Sequence, residues 1–218
     1  MLARFECVVF DWDGTLIDST ATIARSIQAA AADLGLAVPD FERASHVIGL
    51  GLRDALARAV PDLPPERAHE FSLRYRHHYF AAEDTLELFR GARELIDALH
   101  ANGTLLAVAT GKSAAGLARA MASTGLTAYF GATRCADQTE PKPHPAMLLE
   151  LSEELQVPTD RMLMIGDTTH DLQMAAAARV DAVGVTYGAH PRAQLAQLAP
   201  LALMDSVAEL RQWLMPGR

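Results

Sequence analysis

"VVFDWDGTLIDS", residues 8–19, is the stretch on which the fold is read. An uninterrupted apolar run, Phe5 to Phe10 apart from Glu6, leads into Asp11-Trp12-Asp13-Gly14-Thr15. A short apolar run closed by Asp and Gly reads as a buried strand. Asp11 and Asp13 then stand at a strand's carboxyl end, where open α/β sheets collect their ligands. In a continuing strand the two would share a face, but Gly14 permits a turn, so both could converge on one point in the loop. Carboxylates that close either repel or share a cation, and oxygen-only ligation suits Mg²⁺. The alternative is a turn whose Asp side chains cap backbone N–H groups.

Outward from this turn, two periodicities alternate. Further apolar runs at Leu105–Ala109, Arg161–Ile165, Ala182–Thr186 and Leu201–Met204 read as strands. Helical spacing occupies Ala92–Ala101, Ser113–Ser123, Ala146–Leu155, Leu172–Ala178 and Val207–Leu214, with Ser113 as an N-cap. Strand and helix in succession imply an α/β fold with a parallel sheet and crossover helices. Between the first strand and the second lie about ninety residues without a strand, while Thr20–Leu34, Arg53–Ala59 and Glu66–Phe80 carry helical patterns. This predicts a helical insert at 18–83 on a core of 1–17 and 84–218.

The 218 residues are half apolar, enough for one core with a smaller appended unit. No apolar run approaches the ~18 residues of a membrane span, and Glu6 and Asp11 interrupt any secretory signal. Two cysteines, Cys7 in the first strand and Cys135 in a later loop, offer neither a disulfide framework nor metal spacing. The expectation is a cytoplasmic protein, monomer or dimer. A net charge of −8 argues against a nucleic-acid surface.

Three later segments add chemistry. "ATGKS" at 109–113 ends a strand, with the Thr110 hydroxyl and the Gly111 N–H facing an anion at a helix start; Leu106 stands where a P-loop needs glycine. "TEPKPHP" at 139–145 places Lys142 between two prolines in a chain with 17 arginines and one other lysine, Lys112. "MLMIGDTTHD" at 162–171 brings Asp167 and Asp171 to another strand end, one helical turn apart. His170 between them reads as a loop or supporting residue, and His77 and His78 as a solvated helix face. An EF-hand from Asp11 fails, because Leu16 and Thr22 occupy its glycine and glutamate positions. "GLGL" at 49–52 is at most a tight loop.

Taken in order, "DWDGTLIDS", "TG" with Lys112, "KPHP" and "GDTTHD" resemble the haloacid dehalogenase (HAD) superfamily. The resemblance covers nearly the whole chain and is nearest its phosphoglycolate phosphatase branch, which shares the "GLGL" loop and a "YG" like Tyr187-Gly188. It implies a Rossmann-like parallel sheet flanked by helices, with an inserted α-helical cap. It implies a Mg²⁺-dependent phosphatase acting on a small phosphorylated metabolite, phosphoglycolate foremost, through an aspartyl-phosphate. Asp11 would be the nucleophile and Asp13 the acid and base; Asp11, Asp13, Asp167 and Asp171 would hold metal; Thr110, Gly111 and Lys142 would hold the phosphoryl group. Lys142 suits the narrow space between a carboxylate and a phosphoryl oxygen, where a compact ammonium touches both. Lys112 is left as a flanking charge. Trp12, where the family usually carries Phe, is expected to have no consequence. Asp13 argues against a dehalogenase, and the lysine-free insert against a Schiff-base phosphonate hydrolase. Alternatives are a sugar-phosphate mutase, a phosphatase or pyrophosphatase of other range, and a catalytically silent binding protein. Of the arginines at 18–83, Arg53 beside "GLGL" is the candidate for a substrate carboxylate.

Overall fold

The computed structural model describes residues 2–217. Its core is one parallel sheet of six strands: β1 (Cys7–Phe10), β2 (Leu105–Thr110), β3 (Ala132–Cys135), β4 (Met162–Gly166), β5 (Asp181–Val185) and β6 (Ala202–Met204). Their spatial order is β3-β2-β1-β4-β5-β6, a Rossmann-like arrangement in which the chain reverses direction across the sheet at β1. The crevice beyond the ends of β1, β2 and β4 is thus the topological switch point, where doubly wound sheets bind ligands.

Side-chain alternation builds two cores from this sheet. Val8, Phe10, Leu106, Val108, Leu163 and Ile165 pack on one face with α5 (Ala92–Ala101), α6 (Ala114–Thr124) and α10 (Val207–Leu214). Cys7, Val9, Ala107, Ala109, Met162 and Met164 pack on the other with α7 (Ala146–Leu155) and α8 (Thr169–Ala178). Ser113 caps α6, its Oγ accepting from the Gly116 N–H at 3.2 Å, as its position predicts.

The insert holds α1 (Thr20–Asp33), α2 (Phe41–His46), α3 (Leu52–Ala59) and α4 (Ala68–Glu83), and it owns a separate apolar cluster. Alanines 24, 30 and 31 let α1 lie close to α4, with Ile27, Leu56 and Phe71 filling the space around them. The connecting segments run side by side: Asp18 N–H donates to Glu87 O and Phe89 N–H to Leu16 O, each at 3.0 Å.

The structure departs from or adds to the sequence reading at four places. Cys135 ends β3 rather than lying in a loop; β3 was missed because an edge strand of four residues with Thr133 and Arg134 half-exposed carries no apolar run. His170 lies in the first turn of α8 and is buried. His78 is not merely solvated, since its Nε2 sits 2.8 Å from Asp33 Oδ2 and links α4 to α1. Finally, α2 and α9 (Arg192–Ala196) are too short to have shown a period.

Candidate active site

The turn after β1 is closed by its own backbone. Asp11 N–H extends the ladder to Ile165 O at 2.9 Å, the N–H groups of Leu16 and Ile17 converge on Trp12 O, and Gly14 N–H reaches Ile17 O. Gly14 has φ +78°, and a Cβ there would collide with the Asp167 carboxylate, so only glycine serves. The turn aims the two aspartates at different cations. Asp11 Oδ1 lies 2.8 Å from Lys142 Nζ, and Asp13 Oδ1 lies 3.0 Å from Lys112 Nζ while accepting from Ser19 Oγ at 2.7 Å. Both carboxylates line one cavity.

Lys142 is reached from the loop between β3 and α7, and its side chain is fully buried. Its Nζ also approaches Asp171 Oδ1 at 2.6 Å, so one ammonium joins the carboxylates that follow β1 and β4. Burial alone would strip the proton, but the two anions outweigh it and hold Lys142 charged.

Asp167 and Asp171 flank the start of α8. Asp171 Oδ2 accepts from Thr168 N–H at 3.0 Å and Thr168 Oγ1 at 2.7 Å, completing a capping box. Asp167 is gripped by Thr15 Oγ1 on Oδ1 at 2.8 Å and by Ala189 N–H on Oδ2 at 2.7 Å. Oxygens of Asp11, Asp167 and Asp171 all lie within 4.8 Å of one another in a buried setting. Asp11 Oδ1 and Asp171 Oδ1 meet only the Lys142 ammonium, and Asp11 Oδ2 lacks a hydrogen-bond partner among the described residues. Desolvation, only partly countered by Lys142, pushes Asp11 up to about 7. Asp167 is raised by burial and then by Asp11 and Asp171. A cluster of three buried carboxylates with an orphaned oxygen and one lysine is short of positive charge, and an oxygen-only donor set fits a hard divalent ion such as Mg²⁺.

Thr110 ends β2, buried, its Oγ1 accepting from Lys112 N–H at 3.2 Å. Beside it Gly111 lies directly under the insert: a Cβ there would stand 2.5 Å from Leu50 O and 2.6 Å from Gly49 O. The "GLGL" loop is therefore the roof over the strand ends. Between roof and floor lies a cavity of about 740 Å³ lined by Asp11, Asp13, Thr110, Gly111, Arg53 and Tyr79 among others. Arg53 is exposed and has no ion-pair or hydrogen-bond partner among the described residues.

Strand ends, carboxylates and a buried lysine in this order coincide with a known family. Residues 8–185 match the model of the haloacid dehalogenase-like hydrolases. This chain belongs to that family. The hydrolase is 34% identical over 209 residues to the probable phosphatase IndB of Dickeya dadantii, covering 93% of this chain and 90% of the relative. It is 31% identical over 208 residues to the phosphoglycolate phosphatase of Agrobacterium fabrum, covering 93% and 89%. Among solved structures, a predicted phosphoglycolate phosphatase from Haemophilus somnus superposes with a TM-score of 0.86 at 27% identity, covering 96% of this chain and 98% of that one.

In this HAD-like hydrolase, local sequence did not announce the groups that hold the carboxylates still. Thr15 and Ser19 sit inside the quoted turn and could have been named as hydroxyl donors. Ala189 and Tyr79 could not, because they act through a backbone N–H and a distant helix.

Proposed function

We propose that this protein is a Mg²⁺-dependent phosphatase of small phosphomonoesters, and that residues 18–83 form the cap over its site. The observation that carries the reading is Lys142, whose buried ammonium joins Asp11 to Asp171 beside an Asp11 oxygen, Oδ2, that accepts no hydrogen bond. Asp11 attacks phosphorus; the new oxygen–phosphorus bond forms as the bond to the leaving oxygen breaks, and Asp13 gives that oxygen a proton. Water then attacks the aspartyl-phosphate, Asp13 takes its proton, and Asp11 and inorganic phosphate are released. Lys142, Thr110 and the Gly111 N–H hold the phosphoryl oxygens, since phosphoryl transfer depends chiefly on positioning and charge. Asp11, the Asp13 carbonyl and Asp167 would hold Mg²⁺, with Asp171 completing the charge around it; the ion supplies charge that offsets repulsion between a carboxylate and a phosphate dianion.

Phosphoglycolate, named for several relatives, is the first substrate to try, and the unpartnered Arg53 guanidinium would meet its carboxylate. The paired segments at 16–18 and 87–89 would serve as the cap hinge.

The test is p-nitrophenyl phosphate hydrolysis with and without Mg²⁺, using Asp11→Asn and Lys142→Arg as controls. Activity that needs the ion and drops at least about a hundredfold in both variants supports the reading; an inactive parent protein removes it. A kcat/KM panel over phosphoglycolate, sugar phosphates, nucleotides and pyrophosphate then tests the substrate. A preference for phosphoglycolate below about tenfold overturns that choice.

A further inference from the structure

Lys112 is the other lysine of the chain, a flanking charge by sequence alone. In the fold its Nζ stands 3.0 Å from Asp13 Oδ1 and donates to Tyr79 Oη at 2.8 Å. Ser19 Oγ donates to the same aspartate oxygen at 2.7 Å. Lys112 follows β2 in the core, whereas Tyr79 belongs to α4 of the cap, so the ammonium that meets Asp13 is itself held from the cap. The second oxygen of Asp13 has no partner among the described residues, and Asp13 lines the cavity.

We propose that Lys112, steered by Tyr79, is a positioning residue that fixes Asp13 for proton delivery to the leaving oxygen while α4 is seated on the core. This rests on the phosphatase reading above. An ammonium and a hydroxyl on one oxygen set the rotamer of Asp13 and leave the other oxygen free to carry the proton. Lysine has a flexible four-carbon stem, so its direction comes from its partners, and here one partner arrives with the cap. Tyr79 is buried, which keeps its hydroxyl protonated, so it orients Lys112 without competing as an anion for its charge. When α4 moves off the core, the Tyr79 contact is lost and Lys112 keeps Asp13 alone. Proton delivery is thereby tied to closure.

The measurement is kcat/KM, which reports the step that cleaves the ester, for p-nitrophenyl phosphate and for a simple alkyl phosphate. The first expels a stabilised phenolate that needs little protonation; the second expels an alkoxide that needs the proton. In Lys112→Met the alkyl ester should lose at least about tenfold more than the nitrophenyl ester. Tyr79→Phe should shift the ratio in the same direction by less, and Lys112→Arg should recover part of it. Circular dichroism and Tm establish that each variant is folded. Equal losses on both esters, or none, overturn the positioning role while leaving the phosphatase reading intact. A parent protein that cleaves neither ester removes both.

Discussion

An indole without an acceptor belongs to the turn that carries Asp11 and Asp13. Trp12 is fully buried and meets Phe130 edge-on, ring centroids 6.2 Å apart, yet its Nε1 has no hydrogen-bond partner among the described residues. A buried N–H without an acceptor carries a desolvation cost of about 1–3 kcal/mol. Trp12→Phe relieves that cost but leaves a small void, so urea unfolding should place it within about 1 kcal/mol of the parent, whereas Trp12→Ala should lose about 3–5 kcal/mol. At this scale the sequence is informative where chemistry demands a residue type. Asp11, Asp13, Thr110 and Gly111 line one cavity, Asp11 and Asp171 share the buried Lys142, and Asp167 offers an oxygen within 4.8 Å of theirs. It is silent where a common residue is recruited by distance, as with Thr15, whose hydroxyl meets Asp167 from 152 positions away.

Two elements seat the insert on the core, each open to a test. The carbonyl of His46, which ends α2, accepts from His170 Nε2 at 3.2 Å and from His190 Nε2 at 3.0 Å, and the His46 and His190 rings stack at 4.4 Å. A carbonyl can only accept, so both rings carry hydrogen on Nε2, while His190 Nδ1 accepts from Thr169 N–H at 3.0 Å. His190 is thus held neutral, burial lowering it from 6.5 to about 4. Between those values the unfolded chain binds the extra proton, so stability is present above pH 6.5 and is lost as pH falls toward 4. His190→Asn should make the difference between urea unfolding at pH 7 and pH 4.5 smaller than in the parent. The roof loop gives the second test. Gly111→Ala would drive a methyl against Leu50 O and lift the loop, so kcat/KM should drop roughly tenfold or more while Tm changes little. Regular elements were legible where period and length allowed: α5, α7 and α10 match their predicted bounds, while β3, α2 and α9 span six residues or fewer and left no pattern.

Taken whole, the molecule gathers carboxylates near the seam between its two units, with Lys142 the buried cation among them. Without metal, Asp11 titrates near 7 in the fold against 3.8 ordinarily. Across that window the folded state keeps a proton that the unfolded chain has lost, so Asp11's own contribution to metal-free stability falls as pH rises from about 4 to about 7, opposite in sign to that of His190. Mg²⁺ favours the ionised carboxylates, so the rise in Tm on adding it should be larger at pH 8 than at pH 5, and a rise of equal size at both would contradict the assignment. The fold class was readable from the alternation of strands and helices. How the two units meet was not, because the roof loop over Gly111 and the Lys112–Tyr79 contact depend on closure rather than on any local pattern.

The outgoing and returning chains cross this seam as neighbours, Asp18 against Glu87 and Leu16 against Phe89, and the insert keeps an apolar cluster of its own. On the cap reading proposed above, such a paired ribbon would let the insert swing as a door rather than roam as a tethered ball. It is also a natural splice: the cut ends lie one hydrogen bond apart, so a short hairpin there could replace the whole helical unit, or a foreign one be grafted, without disturbing the sheet.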